Sequence, residues 1–265
     1  MTRTNVKTVN AELLALPIIE DMRSLSPQQV NSMKGHLTKA ISKRIENDPQ
    51  GVKSKDFKHL ESWKDSNALL RLFVAAKIDP QGYINQGWMD DAEVIKRGFN
   101  PVSRTKNLKA YKKVREIAEY IVSGQSRCEA VVKTFVACLI QASRFGDAIN
   151  RETLYKFLSR IDLSEVSADL ADAVSDLQAK HMTTGAQTQT SQLCLTLANL
   201  GVLTETRDGR TKRVTLNATS PITQAFAERF GMVEALEAVA TRQAEALEAE
   251  VTEADVMEAL EADAS

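Results

Sequence analysis

Cysteine is scarce in this chain of 265 residues, and its placement excludes a disulfide framework. Cys128, Cys138 and Cys194 are odd in number, lie far apart and show no C-x-x-C spacing. The three histidines stand apart from the cysteines, so no zinc-ligand spacing is present either. We therefore expect three small buried core residues in a reducing compartment.

Glycine and proline number only 11 and 6, and aromatic residues make up 5% of the chain, which is little for a β-rich protein. No apolar run has the length of a signal peptide core or of a membrane span. The composition predicts a mainly α-helical, soluble and cytoplasmic protein with no membrane partner.

Motifs that mark catalysis are missing as well. Neither G-x-x-x-x-G-K-[ST] nor G-x-G-x-x-G occurs, and no segment resembles a nucleophile turn. We expect no enzymatic activity and no cofactor. Asp90, Asp91 and Glu93 leave a metal-dependent nuclease open, although acidic residues there also favour a helix N-terminus.

Charge is segregated along the chain, although the net charge is only -1. Residues 1–160 hold 27 Lys and Arg against 17 Asp and Glu, whereas residues 230–265 hold one against 10. From residue 94 to residue 115 no acidic residue occurs. Eight cations lie in that run: Lys96, Arg97, Arg104, Lys106, Lys109, Lys112, Lys113 and Arg115.

This basic run predicts contact with a phosphate backbone, because each neutralised phosphate releases bound counterions. Phe99 and Tyr111 lie inside the run and predict stacking on unpaired bases. Helical spacing places Lys106, Lys109 and Lys113 along one side, while an apolar set faces the core. That set is Leu108, Val114, Ile117, Ile121 and Val122. The alternative is a solvated helix face with the aromatic residues in the core.

Capping signals predict the helices. Ser26 followed by Pro27 begins a helix through about Glu46, with an apolar stripe that includes Leu37 and Ile41. Residues 79–91 are rich in turn formers and aromatics. Further helices are predicted at residues 66–77, 104–122, 126–145, 150–161 and 164–180, and from Pro221 to about Phe230.

The strongest local signal covers residues 186–217. A helix from about Thr188 to Asn199 stops at Gly201, and two alternating segments follow, joined by a tight turn at Asp208 and Gly209. With "LANLGVL", "RDGR" and "KRVTL", the segment resembles the recognition helix and wing of winged-helix domains, as in MarR-like regulators and replication initiators.

The resemblance implies polar base contacts from the helix, chiefly Gln189 and Gln192, beside Gln187, Thr188 and Thr190. It implies backbone contacts from a basic wing, comprising Arg207, Arg210, Lys212 and Arg213. The helix carries no Arg or Lys between His181 and Arg207, so bidentate reading of guanine is missing. Backbone or single-strand contact is therefore favoured over operator recognition.

The C-terminal residues 231–265 are rich in Ala and Glu and predict an acidic helical tail. Leu236, Ala240, Ala244, Leu247 and Val251 form a narrow apolar stripe. Three interpretations stay open: a solvated helix, a self-association helix, and a tail that binds a partner or covers the basic residues. A basic body with an acidic tail is similar to bacterial and phage single-stranded DNA-binding proteins, which implies RNA polymerase or replication partners.

The sequence thus predicts a basic helical domain at residues 1–125, a winged-helix-bearing domain at 126–230 and an acidic tail at 231–265. We expect a phage- or plasmid-type protein that binds single-stranded or weakly specific DNA in transcription or replication. A duplex-specific winged-helix regulator or replication initiator, and a protein-interaction module, are the alternatives. Homo-oligomers are a further expectation.

Overall fold

The computed structural model describes residues 18–97, 108–124, 130–146, 148–159 and 185–263, together with residue 168. The chain is mostly helical with a small antiparallel sheet, so the mainly α prediction is confirmed. No described helix has both the length and the apolar character that crossing a bilayer requires.

The helices in chain order are α1 (Ile18–Ser24), α2 (Pro27–Glu46), α3 (Phe57–Lys64), α4 (Asn67–Ala75), α5 (Pro80–Gln86), α6 (Asp91–Arg97), α7 (Leu108–Ser123), α8 (Ala130–Ala142), α9 (Arg151–Ser159), α10 (Ala186–Asn199), α11 (Pro221–Phe230) and α12 (Val233–Asp263). A 3₁₀ turn at Gly51–Lys53 separates α2 from α3. The strands are β1 (Ile149–Asn150), β2 (Leu203–Asp208) and β3 (Thr211–Leu216).

Helix α2 has the predicted bounds because its first turn carries a complete capping box. The Ser26 hydroxyl accepts a hydrogen bond from the backbone N–H of Gln29 at 3.3 Å. The Gln29 side chain accepts in return from the Ser26 N–H at 3.0 Å. Leu37 and Ile41 are buried, which confirms the apolar stripe.

The segment predicted as turn-rich contains a helix, α5. Asp79 precedes Pro80 and its carboxylate accepts from the N–H groups of Gln81 and Gly82, at 3.2 and 2.7 Å. An acidic cap followed by proline at the first helical position is itself a helix start, and the aromatic content of the segment obscured it. Helix α8 ends at Ala142, before the predicted Phe145. Residues 126–129, where the helix at 126–145 was predicted to begin, and the segment at 164–180 lie outside the described residues, apart from residue 168.

Four aromatic rings on α3, α4, α5 and α7 form the centre of the N-terminal core. The Trp63 ring lies 6.0 Å from Phe73, 5.8 Å from Tyr83 and 5.1 Å from Tyr111, in edge-on geometries. The indole N–H donates to the Tyr111 carbonyl at 3.1 Å. Burial raises the pKa of Tyr83 far above its ordinary value.

Hydrophobic packing continues across residue 125 into the second half of the chain. The Arg229 guanidinium on α11 donates to the carbonyl of Ile121 at 2.9 Å, and Arg23 donates to the carbonyl of Val122 at 2.7 Å. The Glu228 carboxylate accepts from the backbone N–H of Ile19 at 3.1 Å. The end of α7 is thereby joined to α1 and α11.

The sheet has the order β1-β3-β2. Strands β2 and β3 pair from Leu203 opposite Leu216 to Asp208 opposite Thr211, and Gly209 completes the turn with a φ of +59°. This hairpin was predicted, although its turn residues are Gly209 and Arg210. Strand β1 was not predicted, because two residues are too few to show alternation.

The first half of α12 packs on the body. Leu236, Val239, Ala240 and Ala244 are buried, and residues 245–249 are exposed. Arg242 donates to the carbonyls of Ser143 and Arg144, and the Gln243 side chain donates to the Leu216 carbonyl at 2.7 Å. The start of the predicted tail is therefore anchored beside α8 and the end of β3.

Two of the cysteines are buried, as predicted, and the third, Cys128, lies outside the described residues. Cys138 and Cys194 are 1% and 2% exposed. Burial in apolar surroundings raises the pKa of each thiol to about 12.

The raised pKa values predict that both thiols are inert in the folded protein. Because the thiolate is the nucleophile, about one thiol in 10⁴ is reactive at pH 8 when the pKa is 12. We expect iodoacetamide to label Cys138 and Cys194 only after unfolding in guanidinium, as measured by peptide mass spectrometry. Native labelling at the rate of an unstructured peptide would contradict the burial.

A buried ion cluster joins α2 to α3 and to the segment before α6. Arg44 lies 3.2 Å from Asp48 and 3.0 Å from Asp56, and all three side chains are at most 2% exposed. The guanidinium also lies over the Trp88 ring, 2.8 Å from its centroid.

Replacing Arg44 by Ala removes the cation between two buried carboxylates. We expect the free energy of unfolding to fall by about 3–5 kcal/mol, as measured by urea denaturation. Lys43→Ala, an exposed change on the same helix, serves as the control and should cost less than about 0.5 kcal/mol. Equal effects of the two substitutions would show that the cluster contributes nothing.

Candidate nucleic-acid interface

A groove of about 660 Å³ lies between the first turns of α9 and α10 and the β2–β3 hairpin. We call it the hairpin groove. Its lining is polar and carries three cations. The lining residues are Asn150, Arg151, Glu152, Tyr155, Gln187, Thr190, Ser191, Arg210, Thr211 and Lys212.

Burial of one face of α10 sets which of its side chains reach the groove. Leu193, Cys194 and Leu197 are buried, and the Thr190 hydroxyl is satisfied by the Ala186 carbonyl at 2.8 Å. The polar start of the helix therefore faces outward, where Gln187 is exposed. The resulting surface presents amide and hydroxyl groups beside the hairpin.

The hairpin stands out from the core. Leu203, Val214 and Leu216 are buried at its base, whereas every residue from Thr204 to Arg210 is exposed. Because these residues contribute nothing to the core, their charged side chains serve the surface. We call Arg207, Arg210, Lys212 and Arg213 the cationic hairpin surface.

Ion pairs hold the hairpin against the helices. The Glu205 carboxylate lies 3.0 Å from Arg151 on α9 and 2.7 Å from Lys212 on β3. Arg151 also donates to the Ser191 hydroxyl on α10. One carboxylate and one guanidinium thus connect the hairpin, α9 and α10.

Two arginines of the cationic hairpin surface have no ion-pair partner among the described residues. Arg207 and Arg210 are exposed near the turn, while Arg213 lies 2.9 Å from Asp208. The groove lining holds three cations and one carboxylate, and Glu205 beside it pairs with two of those cations, which leaves a local excess of positive charge. The cations are Arg151, Arg210 and Lys212, and the lining carboxylate is Glu152.

The structure corrects two predicted contacts on α7. Tyr111 is 1% exposed within the Trp63 cluster, and Lys113 is 2% exposed. Stacking by Tyr111 and phosphate contact by Lys113 are therefore wrong. The buried face includes Ala110, so it is wider than the apolar residues predicted, and positions 111 and 113 fall within it.

The remaining described cations of the basic run are accessible, but two of them are paired. Lys96 and Lys109 are exposed. Lys112 lies 3.4 Å from Glu116, and Arg115 lies 2.7 Å from Glu119. The run without acidic residues ends at Arg115, and the next helical turn supplies the carboxylates. The side chain of Arg97, together with Phe99, Arg104 and Lys106, lies outside the described part of the chain.

The residues predicted to contact bases differ in their exposure to the hairpin groove. Gln187 and Thr190 line the hairpin groove, whereas Gln189 and Gln192 are half-buried. The carbonyl oxygens of these last two side chains are buried and have no hydrogen-bond partner in the structure described.

Sequence reasoning missed Arg151 and Tyr155. Both lie 30 or more residues from α10 and the hairpin in the sequence, and the β1–β3 pairing brings α9 beside them. No local pattern could have indicated that position.

The acidic residues considered for a metal site begin α6. The Asp90 carboxylate accepts from the backbone N–H of Glu93 at 2.7 Å, as expected of a helix N-terminus. Within the described ranges no three His, Cys, Asp or Glu side chains are grouped as a metal site would require.

Comparison with protein-family models, curated proteins and solved structures gives no match to this chain. Its functional interpretation therefore depends on its own residues and their arrangement.

Proposed function

We propose that this chain binds double-stranded DNA with weak sequence selectivity and does no chemistry on it. The start of α10 enters the major groove and the cationic hairpin surface contacts the phosphates, as the winged-helix resemblance implies. The observation that carries the proposal is the hairpin groove, in which a polar helix start lies beside an exposed hairpin with excess positive charge.

Two unpaired arginines support backbone binding by the hairpin. Arg207 and Arg210 are exposed without an ion-pair partner among the described residues, so an anion meets them without displacing a carboxylate. Phosphate contacts of this kind position a protein on DNA and carry no sequence information.

The residue types on α10 support weak selectivity. A major groove about 12 Å wide admits a helix, and Gln187 presents an amide that can pair with adenine. The described residues of α10 include no Arg or Lys, so the commonest specific contact, to guanine, is missing. Most affinity must then come from the backbone.

The burial of aromatic residues favours duplex over single-stranded DNA. Trp63, Tyr83 and Tyr111 belong to the core, so they cannot stack on bases. Tyr155 in the hairpin groove is the aromatic residue that a single strand would use.

The first prediction of this proposal concerns Arg207 and Arg210. We expect Arg207→Ala with Arg210→Ala to weaken binding to a mixed-sequence duplex by about tenfold or more at 0.1 M salt. The slope of log K against log salt should flatten by about 2 because two phosphate contacts are lost. Fluorescence anisotropy with a labelled duplex and a matched single strand measures both quantities.

The matched control is Lys39→Ala with Lys43→Ala, which removes the same charge from exposed positions on α2. Its binding should stay within about threefold of the parent chain, as expected for screened distant charges. If both variants lost the same affinity for the duplex, the loss would reflect the net charge of the protein and not the position of Arg207 and Arg210. If the single strand bound more tightly than the duplex, the ligand would be single-stranded DNA and the duplex proposal would be wrong.

The second prediction concerns Glu205, which forms ion pairs with both Arg151 and Lys212. Glu205→Gln keeps the side-chain shape and releases two cations toward the groove, so duplex binding should tighten about fivefold and its salt dependence should steepen. Glu46→Gln on α2 is the control for charge alone. Unchanged or weaker binding by the Glu205 variant would place the DNA elsewhere.

A further inference from the structure

The acidic half of α12 comprises residues 245–263 and follows the buried Ala244. The next five residues, the last of the helix whose burial is described, are exposed, including Leu247 at 62%. The helix continues without interruption to Asp263. In sequence, residues 245–263 hold eight acidic residues and no Lys or Arg.

Helix continuity constrains what this acidic half can reach. Arg242 and Gln243 fix α12 to the body immediately before it. No glycine or proline follows Gly231, so the residues that usually kink a helix are missing. The 19 residues extend the axis by about 28 Å. In the structure described, neither Arg207 nor Arg210 is paired with a carboxylate of its own α12.

The chain nevertheless carries a surface complementary to this helix. Arg207 and Arg210 are exposed, and no described carboxylate pairs with them. On α7, by contrast, Lys112 and Arg115 are already paired with Glu116 and Glu119. The hairpin therefore offers two exposed, unpaired cations to an acidic helix from another molecule, whereas the described part of α7 offers one, Lys109.

We propose that copies of this chain associate head to tail, with the acidic half of α12 from one copy on the cationic hairpin surface of the next. The net charge of -1 means that whole molecules repel each other little. Two acidic helices side by side would repel, which disfavours a tail-to-tail contact. The contact is therefore between different surfaces on the two copies.

This inference goes beyond DNA binding, since it requires only that the hairpin attract carboxylates. It has a consequence for DNA binding, however. DNA and a second copy would compete for the same arginines, so self-association should weaken when duplex is added.

The test is sedimentation velocity of the full chain without DNA, over a protein concentration series. We expect association at about 50 mM salt and a dissociation constant at least tenfold weaker at about 500 mM, because the contact is electrostatic. A chain that stays monomeric at low salt and high concentration overturns the proposal.

Two variants identify the surfaces. The tail variant combines Glu245→Gln, Glu248→Gln, Glu253→Gln and Glu258→Gln, in which Gln preserves helix propensity. The hairpin variant combines Arg207→Glu and Arg210→Glu. The control variant makes the same charge change on the N-terminal helices, with Glu20→Gln, Asp21→Asn, Glu46→Gln and Asp65→Asn.

Each of the first two variants alone should be monomeric, and the control variant should still associate. Mixed together, the tail and hairpin variants should form a 1:1 complex, because one keeps the acidic helix and the other keeps the hairpin. Circular dichroism checks that each variant retains its helix content.

Association of the tail variant at the parental strength, or a mixture that stays monomeric, would overturn the head-to-tail contact. The result is separable from the proposed function, because the tail variant keeps every cation of the hairpin. Its affinity for duplex DNA, measured in the same buffers, tests DNA binding whether or not copies associate.

Discussion

The end of α7 is the point on which the arrangement of the two halves depends. The last carbonyl groups of a helix have no partner within it, and here Arg23 and Arg229 supply donors to Val122 and Ile121. One arginine comes from the first described helix and the other from α11. The Arg229 bond, together with the hydrogen bond from the Ile19 N–H to the Glu228 carboxylate, adds directional contacts between the two halves to the apolar packing they share.

Local signals made the helix starts and the hairpin predictable. The Ser26 capping box, the glycine after α10 and the alternation of β2 and β3 are each encoded within a few residues, and the structure contains all of them. The wider buried face of α7 was not predictable from spacing alone. Tyr111 joins the Trp63 cluster because α3 and α4 pack against α7. This packing is tertiary, so the spacing of residues within α7 does not reveal it.

The candidate site shows the same division. The cationic residues of the hairpin followed from sequence, whereas Arg151 did not, because the β1–β3 pairing brings it beside Glu205. The basic run on α7 is also less positively charged in the structure than its sequence indicates. Acidic residues one helical turn away neutralise part of it, so formal charge in a stretch of sequence overstated the field that a ligand meets.

The order of the sheet places β2 at its outer edge, with β3 between it and β1. An outer strand exposes backbone groups that can template strand addition and aggregation. After Leu203, however, β2 reads Thr, Glu, Thr, Arg, Asp, with no apolar side chain to stabilise such a stack. The hairpin can therefore stand exposed at high protein concentration without seeding cross-β assembly, so resistance to misassembly and attraction for anions come from the same few side chains.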